Sequence, residues 1–239
     1  MRSRLCGALI PMAAGMLLWS GTAPAVGGND VSPSTKTPVT TQAREAKIAA
    51  AGASYALPAT GQTTCWNSSG IVVSCTGTGQ DGELRAGATL AYVDNGDGTI
   101  TDSNTGLMWE KLSDDGTIHD WKNMYAWDSA FVVKIATLNG GGGFAGHTDW
   151  RVPNIKELQS IVNYELPYPG PMVTTAFNTG CSAPCAVTAC SCTQSHYYWS
   201  SSSNASNPNN AFVVHFNNGY EDASSKTNLS YVRAVRGGS

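Results

Sequence analysis

"YVDNGDGTITDSNTGLMWEK", Tyr92 to Lys111, decides how the rest of the chain is read. Two turn sequences, Asp-Asn-Gly-Asp-Gly and Ser-Asn-Thr-Gly, separate three short runs, "YVD", "TITD" and "LMWEK". Asn and Gly accept the positive φ of tight hairpins, so the stretch reads as three antiparallel strands joined by two turns. Asp94, Asp97 and Asp102 also supply hard oxygen atoms of the kind that Ca²⁺ takes. Their spacing lacks the Asp-x-Asp-x-Asp-Gly run and the closing Glu of a helix–loop–helix calcium site. The hairpin reading leads and no cofactor is expected; a calcium site at these three residues is the alternative. Glu110, beside Trp109, reads as an exposed strand residue.

Downstream, the apolar residues Ala130, Phe131, Ile135 and Leu138 follow Trp127 at helical spacing, and "NGGGG" stops the helix. A second helix opens after "DWRVP", with Pro153 before it, Asn154 as cap and Glu157 placed to reach back in a capping box. Leu158, Ile161 and Val162 give it a buried stripe. A Pro- and Cys-rich excursion from Leu166 to Thr193 leads to the strands "HYYWSSS", "AFVVHFNNG" and "SYVRAVRGG". Strands, two helices, long loops and strands again make an α+β domain with a mostly antiparallel sheet.

Upstream, Arg2 and Arg4 precede an apolar run from Leu5 to Trp19 and a small-residue site at Ala23-Pro24-Ala25. Residues 1–25 read as a secretory signal peptide, and no segment is long enough to span a membrane. Cleavage after Ala25 moves the formal net charge from −3 to −5 and leaves six cysteines. That balance excludes a general nucleic-acid or anionic-membrane binder. Residues 26–60, punctuated by Pro, Ser and Thr, read as a flexible linker or arm. Residues 61–90 form a lead-in whose Cys65 and Cys75 flank an Asn-Ser-Ser-Gly turn and suit a bridge across a hairpin. Cys181, Cys185, Cys190 and Cys192 lack paired C-x-x-C spacing, so they read as two disulfides of undetermined connectivity rather than a metal site. A link from this cluster to Cys65 or Cys75 is the alternative.

Four motifs, "YVDNGDGTITDSNTGLMWEK", "LNGGGGFAGHTDWRVPNIKELQSIVNYE", "YYWSSSS" and "YVRAVRGG", together resemble the Lcl C-terminal domain family. The resemblance covers roughly residues 61–238, with the compact domain at 91–238. It implies a C-type-lectin-like fold, the broad architecture of the formylglycine-generating enzymes, with Trp150, Arg151, Pro153, Glu157 and Leu158 at the shared start of the second helix. The family's namesake is a surface adhesin whose C-terminal domain binds sulfated polysaccharides; no motif carries that property onto residues of this chain.

The resemblance implies an exported, non-catalytic binding domain for a glycan or another envelope ligand, in the periplasm, on the surface or secreted. A structural or protein-binding module of an envelope complex is the alternative, and a formylglycine-generating-like enzyme comes third. No cysteine pair matches that enzyme's catalytic pair, and the four histidines are dispersed without a paired nucleophile. Trp109, Trp150 and Trp199 read as core. Trp121 and Tyr168 stand in loop-like surroundings where a sugar could stack, and Asn204, Asn207 and Asn209 lie in a polar loop between strands. A sulfated ligand needs a basic cluster among Arg85, Lys122, Lys134, Arg151, Lys156, Lys226, Arg233 and Arg236, or bridging calcium. A glycan reader should show exposed aromatics beside Asn or Asp on one face; a structural module should show an exposed apolar patch.

Overall fold

A computed structural model describes residues 57–238. The signal-peptide reading and the linker reading up to residue 56 lie outside the described residues. Leu57–Thr60, taken as the end of that linker, are bonded to the body: the Ala59 amide donates to the Ala88 carbonyl, and the Tyr164 amide to that of Thr60.

The lead-in is a hairpin of β1 (Cys65–Trp66) and β2 (Val72–Val73), closed by a Cys65–Cys75 disulfide and followed by one helical turn, α1 (Asp81–Leu84). Asn67 shapes its turn, its side-chain oxygen accepting from the Ser69 and Ile71 amides. Glu165 holds the hairpin to the body through the Thr63 and Thr64 amides.

Tyr92 to Lys111 folds into β3 (Tyr92–Asp94), β4 (Thr99–Asp102) and β5 (Met108–Glu110), with the C-terminal β9 (Val235–Arg236) completing an antiparallel sheet ordered β3-β4-β5-β9. A second antiparallel sheet contains β6 (Tyr197–Ser203), β7 (Asn210–His215) and β8 (Tyr220–Ser225). The observed class is α+β, with short helices and three disulfides. Strand β8, "YEDASS", has no apolar alternation and pairs with β7 at the edge of the sheet.

Successive side chains of β6 and β7 enter different clusters, so this sheet is covered on both faces. Tyr198, Val214 and Phe216 join Ile100, Trp109, Leu158 and Phe177. Trp199, Ala211 and Val213 join Ala130, Leu138, Trp150 and Val232. Trp109, Trp150 and Trp199 are all buried.

The helix α2 runs over 127–139, but Ala130–Ile135 has π rather than α pitch. Within this turn Lys134 is buried with Ala130 and Ile135, while Phe131 is only half-buried. Helix α3 (Ile155–Gln159) has the expected capping box: Asn154 accepts from the Glu157 amide, and Glu157 accepts from the Asn154 amide. The Glu157 carboxylate also receives Arg151 as a two-pronged pair at 2.7 and 2.8 Å. Leu158, Ile161 and Val162 are buried, the last two just past the helix end. No helix among the described residues is long and apolar enough to cross a membrane.

Candidate functional site

The three acids of the opening stretch are each engaged locally. Asp94 accepts from the Gly96 amide and pairs with the buried Lys111 ammonium at 2.6 Å. Asp97 accepts from the amide and hydroxyl of Thr99, and Asp102 from the Asn104 amide and Thr105 hydroxyl. These are the short-range turn bonds of Asx residues, with one carboxylate also serving as the counter-ion of a buried lysine. Replacing Asp97 with Ala is expected to cost about 1 kcal/mol through the lost turn bonds. The melting temperature of the unmutated protein is expected to be indifferent to EDTA; a chelation-dependent fall would restore the calcium reading.

Among the described residues, the three potential metal ligands found to converge are Cys185, Cys190 and Cys192. All three are oxidised: Cys185 bonds Cys190, and Cys192 bonds Cys181. The bridges are nested inside the loop, and neither links to the lead-in. A disulfide sulfur is not the thiolate that zinc or iron requires.

Glu110 is not exposed. It is fully buried at the end of β5, where its carboxylate takes the Lys134 ammonium at 2.5 Å, His119 Nδ1 at 2.7 Å and the Ala234 amide at 3.0 Å. Burial alone would raise its pKa, but the Lys134 charge and the His119 hydrogen bond hold it below the ordinary carboxylate value. Arg233, also buried, donates to the carbonyls of Glu110 and Cys192 and to the Thr193 hydroxyl. These bonds join helix α2, β5 and the C-terminal segment, with Arg233 Nε the one buried nitrogen of that guanidinium left without a partner.

Burial of Lys134 and Arg233 removes two cations from the eight that a sulfated ligand could use. Lys122, Arg151 and Arg236 are paired with Asp114, Glu157 and Asp149. Lys226 lies 4.0 Å from the ring centroid of Trp127 and donates to Ser203. Five of the eight are thus buried or already paired with a carboxylate, which weighs against the sulfated version of the reading.

The residues expected to contact ligand lie in separate places. Trp121 is half-buried against the main core cluster. Asn204, Asn207 and Asn209 form the β6–β7 connection: the Asn204 amide bonds the Asn210 carbonyl, the Asn207 amide bonds the Asn204 carbonyl, and the Asn209 carbonyl receives Lys226. Tyr168 is exposed and lines a cavity of about 560 Å³ with Pro167, Pro169 and Thr175. The neighbouring Gly170 packs on Phe216, beyond the end of β7 opposite the Asn204–Asn210 turn. Strand length alone puts these two places roughly 20 Å apart.

At that end of the sheet the structure assembles an aromatic platform. Tyr197 pairs with His215 and His215 with Tyr220 across adjacent strands. The Tyr197 and His215 rings stack with centroids 4.2 Å apart, and Tyr220 stands edge-on to both. His196, which is exposed, meets His215 at 5.6 Å and Tyr231 at 5.9 Å. The two phenol oxygens lie 2.5 Å apart; that bond to Tyr220, with partial burial, pushes the Tyr197 hydroxyl up to about 12. Burial and the neighbouring His196 lower the His215 pKa despite the Asn218 side chain. His215 Nδ1 donates to the Asn218 amide oxygen at 3.3 Å, which leaves Nε2 as an acceptor in the neutral ring. Asn218 and Asp222 border this patch of stiff, amphipathic rings carrying hydroxyl and imidazole groups.

The dispersed sequence positions hid this platform, although one signal was present. Asn218–Gly219 is a hairpin dipeptide, and folding "HFNNGY" about it sets His215 opposite Tyr220.

A family model of the Lcl C-terminal domain matches residues 98–236, more than half the chain. No curated protein matches it.

Proposed function

Because this chain belongs to the Lcl C-terminal domain family, we propose that it is an exported, non-catalytic binding domain whose platform of Tyr197, His215 and Tyr220 receives an uncharged glycan. The observation that carries the reading is the platform itself: the exposed Tyr220 ring and the half-buried Tyr197 and His215 rings beside Asn218 and Asp222, held on a sheet packed on both faces. A pyranose ring can lay its C–H face on such rings while its hydroxyls bond the phenols, the imidazole and the neighbouring side chains. Rings with few rotatable bonds lose little conformational freedom when they take up a ligand. A C-type-lectin-like arrangement, with a sheet and its loops presenting the ligand face, belongs to the same proposal. Three disulfides suit an oxidising compartment outside the cytoplasm. They also occupy every described cysteine, which supports a binding role over cysteine-based catalysis.

A glycan array probed with the oxidised protein, in calcium and in EDTA, tests the reading. Selective, saturable binding is expected, with Tyr220→Ala weakening it about tenfold, or ~1.4 kcal/mol, at an unchanged melting temperature. Binding that ignores Tyr197→Ala and Tyr220→Ala would remove the platform from the function.

A protein-binding role in an envelope complex is the second reading. Ile71 and Val72 are exposed on the disulfide-closed hairpin, with Trp66 partly exposed beside them. A blank array, together with capture of an envelope protein that Ile71→Ser abolishes, would put this reading first.

A further inference from the structure

We propose that the cleft between the lead-in and the body is a second binding site, for a small sugar acid whose carboxylate pairs with Arg85. The cavity holds about 270 Å³, room for one monosaccharide unit, and its wall includes Arg85, Gln62, Leu90, Asn163 and Thr174. Asn163 and Thr174 also line the larger cavity at Tyr168, so the two spaces share a wall.

Three observations converge on Arg85. Its side chain is exposed and its only bond to a described residue runs from Nε to the Gly82 carbonyl, leaving both terminal nitrogens of the fork for a ligand. Most other basic side chains of the described residues are spent on carboxylates or buried, as shown above. Its backbone is also left-handed, with φ 46° and ψ 44°, at the position that ends helix α1. Glycine is the residue that suits this C-cap conformation, and any side chain there carries strain. An arginine in this conformation is a backbone departure that a use for its guanidinium would explain.

The rest of the wall suits hydroxyl groups. The Thr174 hydroxyl is buried with no protein partner, a polar group that calls for one. The Asn163 side-chain oxygen accepts from the Glu165 amide, while its NH₂ donates to no described residue. Gly61 permits this wall: a Cβ there would lie 2.3 Å from the Asn163 oxygen, and its φ is +85°. Arg85 would hold the carboxylate in a two-pronged contact, and Thr174 and Asn163 would bond ring hydroxyls. Neutral sugars lack the first contact and bare carboxylates lack the second.

The test is calorimetric titration of the oxidised full chain with sodium glucuronate, using glucose and acetate as controls. Saturable glucuronate binding at least tenfold tighter than either control is expected. Arg85→Gly should lose it by tenfold or more while its melting temperature holds or rises, because the left-handed strain is relieved. Arg85→Lys should weaken it by losing the fork, and Thr174→Val should weaken it without touching the charge. Equal binding of acetate and glucuronate, or glucuronate binding that survives Arg85→Gly, would overturn the proposal. Tyr220→Ala separates the two sites: it should leave glucuronate binding intact, so either reading can fail alone.

Discussion

Glu110→Gln is expected to destabilise the protein by about 3–5 kcal/mol, the range found when one partner of a buried ion pair is removed. For a domain of this size that corresponds to a fall in melting temperature of roughly 6–20 °C. Glutamine keeps the volume and can still accept from the Ala234 amide. It cannot neutralise Lys134, which is buried with its ammonium on the Glu110 carboxylate and the Ile118 carbonyl. The companion Glu110→Gln/Lys134→Met should recover part of the loss, since it removes the uncompensated charge as well. A single variant within 1 kcal/mol of the parent would show that water reaches Lys134. The same carboxylate gives a pH dependence. Its folded pKa lies below the ordinary 4.5, so its contribution is complete above that value and is lost as pH falls through the folded pKa. Acid unfolding monitored by tryptophan fluorescence should therefore set in below about pH 4 in the parent and lose much of its steepness in the double variant.

Trp199→Ala is expected to cost about 3–5 kcal/mol as well, by a different mechanism. The indole is fully buried in the cluster that also holds Val213, Ala130 and Ile135. Its N–H donates to the Tyr125 carbonyl at 2.8 Å, which also accepts the Ser230 amide, so truncation opens a void and removes one of that carbonyl's two hydrogen bonds. Chemical denaturation should show a lower midpoint with an unchanged slope. Trp199→Phe, which fills most of the space but cannot donate, should lose clearly less. Equal losses for Phe and Ala would mean that the hydrogen bond, rather than the packed volume, dominates.

The two variants mark where sequence reasoning succeeds. Trp199 was legible as core because it sits in the aromatic run of the motif "YYWSSSS", where a large ring is most economically buried. Glu110 was misread for a physical reason. A carboxylate at a strand end is ordinarily solvated, and its burial depends on Lys134, 24 positions away, and on His119. Lys134 lies four residues after Ala130 and four before Leu138, inside the apolar stripe of the helix, where it is buried. A lysine in such a stripe is ordinarily solvated, so a reading of apolar residues alone passed over it.

The ligand-facing residues divide in the same way. Tyr168 and the asparagines between β6 and β7 were chosen because they stand in polar or Pro-rich loops, which places them on the surface without placing them together. The platform required the register of three strands, one of which, β8, carries no apolar alternation to betray it. Arg85 looked like one cation among many until the fold buried or paired most of the others.

The sequence by itself determined the hairpins, the glycine stop of helix α2, the capping box of helix α3, the antiparallel α+β class and the family. Each of these is written in residues close along the chain, where backbone preference and side-chain reach act directly. The tertiary structure alone decided the pairing of the loop cysteines, the burial of Glu110, the aromatic platform and the Arg85 cleft. Those depend on contacts between distant segments, which take shape only when the two core clusters close on either face of the β6–β7–β8 sheet.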